Sequence, residues 1–362
     1  TGWQDTDHTL NQTASSVALF DDANRKTKET VTYPGGYTMS YGYGYSLAGY
    51  KTKLTWPDGT EIAYGYAQHG ALESVTIPGE GTISVNQFKW NVPEKITLPG
   101  GATQSKTYDG VLNLESFNVK TPGQQTVLSL ANTYGKVLEL KQGNRTDNLG
   151  SSSLTQNKSY SYDDEIRLTQ AAVNDGANIA VESFTLDGVG NRTAHSRQTG
   201  DWTYDDNNRL KKRGSGSCGD VGTVCYEYDE SGNTTKKTEG AKVTQFLYNP
   251  MNQLVAVKDG NGQLVAKYGY DPQFRRLWKE QFRDIAGNVL VQAKRTYFLY
   301  SDEGLIGETV QNIVLNLDQS VTLSGSAAIF TQYGPRPNAP FSTGMLFVKT
   351  KNSNDQDLVA YY

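Results

Sequence analysis

An aromatic residue or Leu followed by a short turn signal recurs along most of this chain, and that repeat constrains the fold more than any other feature of the sequence. The C-terminal half carries it most plainly, at Tyr162-Asp163-Asp164, Leu186-Asp187-Gly188, Tyr204-Asp205-Asp206-Asn207-Asn208-Arg209, Tyr228-Asp229-Glu230-Ser231-Gly232-Asn233, Tyr248-Asn249-Pro250, Tyr270-Asp271-Pro272 and Tyr300-Ser301-Asp302. Weaker copies stand at Tyr45, Tyr66, Trp90, Tyr108-Asp109-Gly110 and Tyr134-Gly135. The twelve positions from Tyr45 to Tyr300 span 255 residues in eleven steps, a mean of about 23.

A second series interleaves with the first: Pro34-Gly35, Pro57-Asp58-Gly59, Pro78-Gly79, Pro99-Gly100 and Pro122-Gly123. Each unit therefore holds two chain reversals. Asp or Asn bonds its own backbone two residues on, Gly and Asn accept positive φ, and Pro-Gly suits a type II turn. Two turns in about 23 residues leave two strands of roughly six to eight residues each. The segments between turns, such as Lys242–Tyr248 and Leu264–Tyr270, are rich in β-branched and aromatic residues, and none shows sustained helical periodicity.

Composition agrees with a sheet. Only 36% of the 362 residues are hydrophobic, yet 23 are Tyr against 11 Phe and 5 Trp, so much buried area must come from rings with a polar tip. Lys and Arg (34) nearly balance Asp and Glu (38), with no run of one sign long enough to attract phosphate or lipid headgroups. Nucleic-acid binding and membrane insertion are not expected. No apolar window reaches the roughly 18 residues of a membrane helix, and Thr1-Gly2-Trp3-Gln4-Asp5 lacks the features of a signal peptide. The reading is of a soluble chain that begins within a longer one.

The run Tyr-Asp-x-x-Gly/Asn-Asn/Arg at 204–210, 228–233 and 270–276 resembles the YD repeat of the rearrangement-hotspot (Rhs) family, which includes toxin-complex C subunits and the teneurin core. The resemblance covers roughly residues 30–310 and draws its strength from repetition. It implies an all-β fold, a continuous antiparallel strip of YD hairpins spiralling as part of a hollow shell. It further implies a structural segment of a secreted or cell-surface toxin that encapsulates and delivers a C-terminal cargo of the same polypeptide, with a secretion-system spike or adaptor, of the type VI kind used between competing bacteria, as a further partner. Before export such a chain is cytoplasmic. The family's self-cleaving protease and toxin are expected outside this chain, which ends where bacterial relatives continue with Tyr-His-Asn-Asp-His-Leu-Gly-Thr-Pro. The expected division is residues 1–30 as an N-terminal edge, 30–310 as about twelve repeats, and 311–362 as an irregular β extension.

Other chemistry finds little support. His8, His69 and His195 lie far apart and in no metal-ligand spacing. Pairs such as Asp163-Asp164 and Asp205-Asp206 recur at the repeat phase, as turn residues do. Asp187-Gly188-Val189-Gly190-Asn191 and Asp259-Gly260-Asn261-Gly262 lack the bidentate Glu of a calcium loop. Neither a nucleophile elbow nor a phosphate-binding Gly loop appears. No catalysis and no cofactor are expected, and Tyr108, Asp109, Tyr162, Asp163, Tyr204, Asp205, Tyr228, Asp229, Gly232, Tyr248, Tyr270, Asp271 and Tyr300 are read as structural. Their rings are expected to pair across strands with hydroxyls facing a wet lumen; the competing reading is a surface adhesin whose Tyr and Trp bind carbohydrate. Gly232 should adopt φ > 0, so that Gly232→Val lowers stability by on the order of 1 kcal/mol in denaturant unfolding. For Cys218 and Cys225, a local disulfide and two free thiols fit equally.

Overall fold

The computed structural model describes residues 2–7, 12–150, 152–198, 200, 202–284, 287–352, 354 and 356–362. Among them are thirty β-strands, one 3-10 turn at Pro99–Gly101, and no α-helix. The strands pair antiparallel with their chain neighbours, as in Lys26–Thr32 with Thr38–Tyr45 (Glu29 opposite Tyr41) and Leu264–Tyr270 with Arg276–Arg283 (Gly269 opposite Trp278). The all-β expectation holds. Short hairpins of this kind need only local pairing, which the recurrent turns supply.

The chain forms two compact units. The first comprises Thr1–Tyr64, Tyr228–Lys237 and Lys242–Tyr362. Its core follows from strict alternation: Met39, Tyr41 and Tyr43 are buried, while Ser40, Gly42 and Gly44 between them face the other way. This N-terminal aromatic face packs on the strands Val289–Ser301, Gly304–Leu315 and Met345–Lys351. The Tyr33 ring lies 5.1 Å from that of Tyr297 and Trp56 5.5 Å from Phe347. Polar tips are paired as well, Tyr33 Oη donating to the Phe298 carbonyl (2.7 Å) and Trp56 Nε1 to that of Tyr333 (3.2 Å). Two sheet faces bury each other here. The wet hydroxyls expected from the sequence do not occur for these tyrosines, because partner strands some 260 residues away cover them.

The second unit, Gly65–Glu227 with Thr238–Ala241, is built differently. Its strands from Leu72–Ile77 to Arg192–His195 run as a meander, followed by Trp202–Tyr204, Leu210–Arg213 and Val224–Tyr228. Among the described residues from 105 to 222, no hydrophobic side chain is fully buried. Strands such as Leu114–Lys120 and Thr126–Tyr134 are half-buried along nearly their whole length. A sheet normally buries one face against a second layer. This stretch is one layer thick. Within the unit Cys218 and Cys225 form a disulfide with Cα atoms 5.7 Å apart, closing the connection into Val224–Tyr228; a loop this short contributes about 2.5 kcal/mol in the chain-entropy account.

Candidate functional site

The residues singled out by the sequence do not converge on one site; they recur as copies of one turn. Tyr108, Tyr162, Tyr204, Tyr228, Tyr248 and Tyr270 each end a strand, and the next residue opens the reversal. In the turn after Tyr162, Asp163 Oδ1 accepts from the backbone N–H of Glu165 (3.2 Å) and Arg167 (2.8 Å), and Oδ2 from Arg167 Nε (2.7 Å). Asp205 repeats this with Asn207 and Arg209, and Asp271 with Gln273 and Arg275. In Asp109, Asp187 and Asp229 the fourth residue on is Asn113, Asn191 or Asn233, whose Nδ2 replaces the guanidinium. One carboxylate thus satisfies the backbone donors of a reversal and is charge-assisted in doing so. The partner four residues on, which the sequence reading treated only as part of a motif, completes it.

The tyrosine hydroxyls tie one turn to the one before. Tyr45 donates to the Lys26 carbonyl (2.8 Å), Tyr134 to Leu114 (2.9 Å), Tyr162 to Leu140 (2.8 Å), Tyr204 to Arg192 (2.7 Å) and Tyr270 to Leu254 (2.9 Å). Each acceptor is the first residue of the preceding strand. Tyr108 makes a longer contact to Pro93 (3.4 Å). These hydroxyls are committed to backbone, which leaves little of the ring face and tip that sugar recognition needs.

Position four of the turn requires positive φ. Gly232 (φ 86°) and Gly190 (φ 89°) meet it without cost, as do Asn24, Asn208 and Asn252. Leu112 (68°), Leu138 (70°), Ile166 (62°) and Phe274 (64°) do not. For a β-branched residue this conformation is strained by roughly 1–2 kcal/mol. Ile166→Asn should therefore raise stability by about 1 kcal/mol, read as a higher denaturant midpoint at unchanged slope.

The same turn also occurs at Phe20-Asp21-Asp22-Ala23-Asn24-Arg25, where Asp21 accepts from Ala23 and Arg25. It lies before residue 30, where the repeats were expected to begin. Tyr300 departs the other way. Ser301 faces Gly304 across a two-residue reversal, and the carboxylates of the intervening Asp302 and Glu303 bind lysines, Glu303 also accepting from the distant Asn338 N–H (3.1 Å), instead of capping their own turn.

Those lysines belong to the first unit's most polar interior. Lys51 Nζ lies 2.6 Å from Glu303 Oε1 and 3.8 Å from the centre of the Tyr43 ring, whose hydroxyl donates to Glu303. Lys26 Nζ bridges Asp302 (2.7 Å) and Glu29 (2.9 Å), and Tyr41 donates to Glu29 (2.7 Å). Burial pushes the Glu29 and Asp302 carboxyls up, but hydrogen bonds and charge from Lys26 outweigh it and hold both below the usual range. Burial lowers Lys26, and Asp302 and Glu29 overcompensate, so it is raised.

The sign of the pH dependence follows. A depressed carboxyl contributes stability that is complete above its unfolded value near 4 and lost as pH falls through the folded one; the raised lysine contributes below about 10.4 and loses it as pH rises through its folded value. Turn carboxylates add to the acid limb, Asp109 being held low first by the Asn113 side chain and Asp205 by the Arg209 N–H. Unfolding midpoints should be flat between these limits and fall on both sides. Lys26→Met should shallow both slopes; an unchanged profile would count against the assignment.

Among the described residues no group of three or more His, Cys, Asp or Glu is placed to hold a metal. His69 packs edge-on to Phe88 and His195 stacks on Phe184 (5.1 Å), while His8 lies outside the described residues. Among the described residues no helix is long and apolar enough to cross a membrane.

Comparison with known proteins bears on this arrangement. The chain is 27% identical over 195 residues to the tRNA3(Ser)-specific nuclease WapA of Bacillus spizizenii, covering 51% of this chain and 8% of that protein. It is 27% identical over 134 residues to the tRNA nuclease WapA of Bacillus subtilis strain 168, covering 25% of this chain and 6% of that protein. The chain thus spans less than a tenth of these relatives. Among solved structures, TcdB2-TccC3 without its hypervariable C-terminal region superposes with a TM-score of 0.52 over 99% of this chain and 23% of that one, at 10% identity. TcdB2-TccC3-Cdc42 gives 0.51 over 97% and 23%, also at 10% identity. At that identity the likeness concerns the fold. The model of the teneurin YD-shell matches residues 84–303, more than half of the sequence, and the chain belongs to that family.

Proposed function

We propose that this chain is a wall segment of a shell that encloses a toxic protein cargo carried on the same polypeptide, and that the assembled protein is exported and releases the cargo at a target cell. The observation that carries this reading is the single-layer sheet of the second unit, in which no hydrophobic side chain between residues 105 and 222 is fully buried among those described. A sheet that packs a domain core would be dry on one face. A wall is half-wet on both. Commitment of the repeat Asp and Tyr side chains to backbone supports a structural role without catalysis by this segment. The nuclease names of the WapA relatives describe those proteins, of which the matched part is small. Export by a type VI spike or adaptor, in competition between bacteria, is the further part of this proposal.

Protease protection tests it. In the longer polypeptide that carries this segment and its flanking repeats, trypsin should spare the cargo region at concentrations that digest the same region expressed alone. Equal digestion of the two would overturn enclosure. Binding of an oligosaccharide array through Tyr or Trp, without protection, would favour the adhesin instead.

A further inference from the structure

The strand Thr38–Tyr45 of the first unit carries aromatic rings on one face and almost nothing on the other. Tyr41 and Tyr43 are buried in the core, as are Leu54 and Trp56 on the next strand and its turn, so Ser40, Gly42, Gly44 and Thr55 are left on the outer face. Gly42 has Lys28 opposite it on one side and Thr55 on the other, a row two strand spacings or roughly 9.5 Å wide with no side chain at its centre. A Cβ at 42 would crowd the Thr27 carbonyl (3.0 Å) and one at 44 the Lys53 stem (3.1 Å), so the strand keeps bare backbone at both positions. The result is an open cleft of about 390 Å³, with Lys28, Ser40, Gly42, Lys53, Thr55 and Pro57 in its lining. That volume is in the range of small-molecule sites, and bare strand backbone is where a ligand can approach closely.

Lys28, Ser40 and Thr55 line this cleft, and among the described residues none of their side chains has a hydrogen-bond or ion-pair partner within the protein. Lys53, by contrast, is held by Glu61 (2.6 Å). We propose that the cleft binds a small sugar acid of the uronate type. The bare backbone at Gly42 admits a flat ring, the Lys28 ammonium takes its carboxylate, and the hydroxyls of Ser40 and Thr55 exchange hydrogen bonds with its hydroxyls. Charge selects a monoanion. The Lys53–Glu61 pair is neutral and leaves Lys28 as the one cation to be matched. A phosphate monoester, with close to two charges, would bring a second negative charge near Glu61 without a second free cation. A neutral sugar would leave the ammonium unmatched. The site is also distinct from the adhesin reading, because the rings of Tyr41, Tyr43 and Trp56 lie in the core and offer no face to a sugar.

The test uses the full chain and glucuronate, with binding read by saturation-transfer NMR and calorimetry; glucose, acetate and glucose 6-phosphate serve as comparisons. Glucuronate should bind at least about tenfold more tightly than any of the three, because it alone offers one carboxylate and ring hydroxyls together. Lys28→Gln should lose about tenfold in affinity with an unchanged melt, since the side chain is exposed and holds nothing in the protein. Lys28→Arg should retain binding. The double variant Ser40→Ala, Thr55→Val should lose a comparable factor; if its melt falls, Lys28→Gln decides alone. Acetate binding as tightly as glucuronate would reduce the site to a bare charge, and glucose or glucose 6-phosphate doing so would remove the match of one cation to one anion. Each of these results overturns the proposal, as does an absence of glucuronate binding or full binding by Lys28→Gln.

Discussion

Replacing Arg295 by Met is expected to destabilise the first unit by about 3–5 kcal/mol, the largest loss foreseen for any single substitution here. Arg295 is 3% exposed and Glu280 is fully buried. The guanidinium donates through Nε to Glu280 Oε1 (3.0 Å) and through Nη1 to the Pro34 carbonyl (2.9 Å), so it joins a neighbouring strand and a turn some 260 residues earlier in one contact. Removing it strands a buried carboxylate, one of whose oxygens, Oε2, already lacks a hydrogen-bond partner. A carboxylate in that position has no water to turn to, and the penalty is that of an uncompensated charge rather than of a lost contact. The double variant Glu280→Leu with Arg295→Met separates the two. It removes both charges, fills the space with apolar atoms, and should recover most of the loss. Denaturant midpoints of the two single and one double variant measure it; a double variant as unstable as Arg295→Met would show that the pair is valued for its shape and its bond to Pro34, not for charge balance.

Sequence and structure part company at identifiable physical scales. Asp163, Asp205 and Asp229 were legible as turn residues because an Asx turn is closed within five residues, and Gly232 because only a residue without Cβ takes φ 86° freely. The same local logic does not reach Ile166 and Phe274, where the surrounding carboxylate network imposes positive φ on a bulky side chain. It misled at Asp302 and Glu303, which carry a turn signature and spend their carboxylates on Lys26 and Lys51. Nothing local announces a partner 250 residues away. For that reason the tyrosines of Thr38–Tyr45 could be recognised as sheet residues but not as the dry face of a two-layer core. The thin sheet of the second unit was legible for the opposite reason, since it is made of neighbours alone.

Asp271 is where the repeat chemistry and the buried interior coincide, and Asp271→Ala should cost about 3 kcal/mol, clearly more than Asp163→Ala in a turn of the same form. Both carboxylates accept two backbone N–H groups and an Arg Nε four residues on. They differ in surroundings. The side chain of Asp271 is wholly buried and that of Arg275 only 20% exposed, whereas Asp163 and Arg167 keep 22% and 32%. When Asp163 is removed, water can reach the freed N–H groups and the guanidinium. When Asp271 is removed, a cation and two donors lose their acceptor in a place that water reaches poorly. The guanidinium of Arg275 also lies 5.3 Å from the centre of the Tyr300 ring, which itself stacks on Phe341, so its release should loosen the aromatic packing beside the turn. Asp271→Asn discriminates bond from charge: it keeps one acceptor oxygen for the backbone but offers Arg275 no charge, and should fall between wild type and Asp271→Ala. If the Ala variants at 163 and 271 unfold at the same midpoint, burial does not amplify the motif, and the repeat turns contribute equally wherever they stand along the strip.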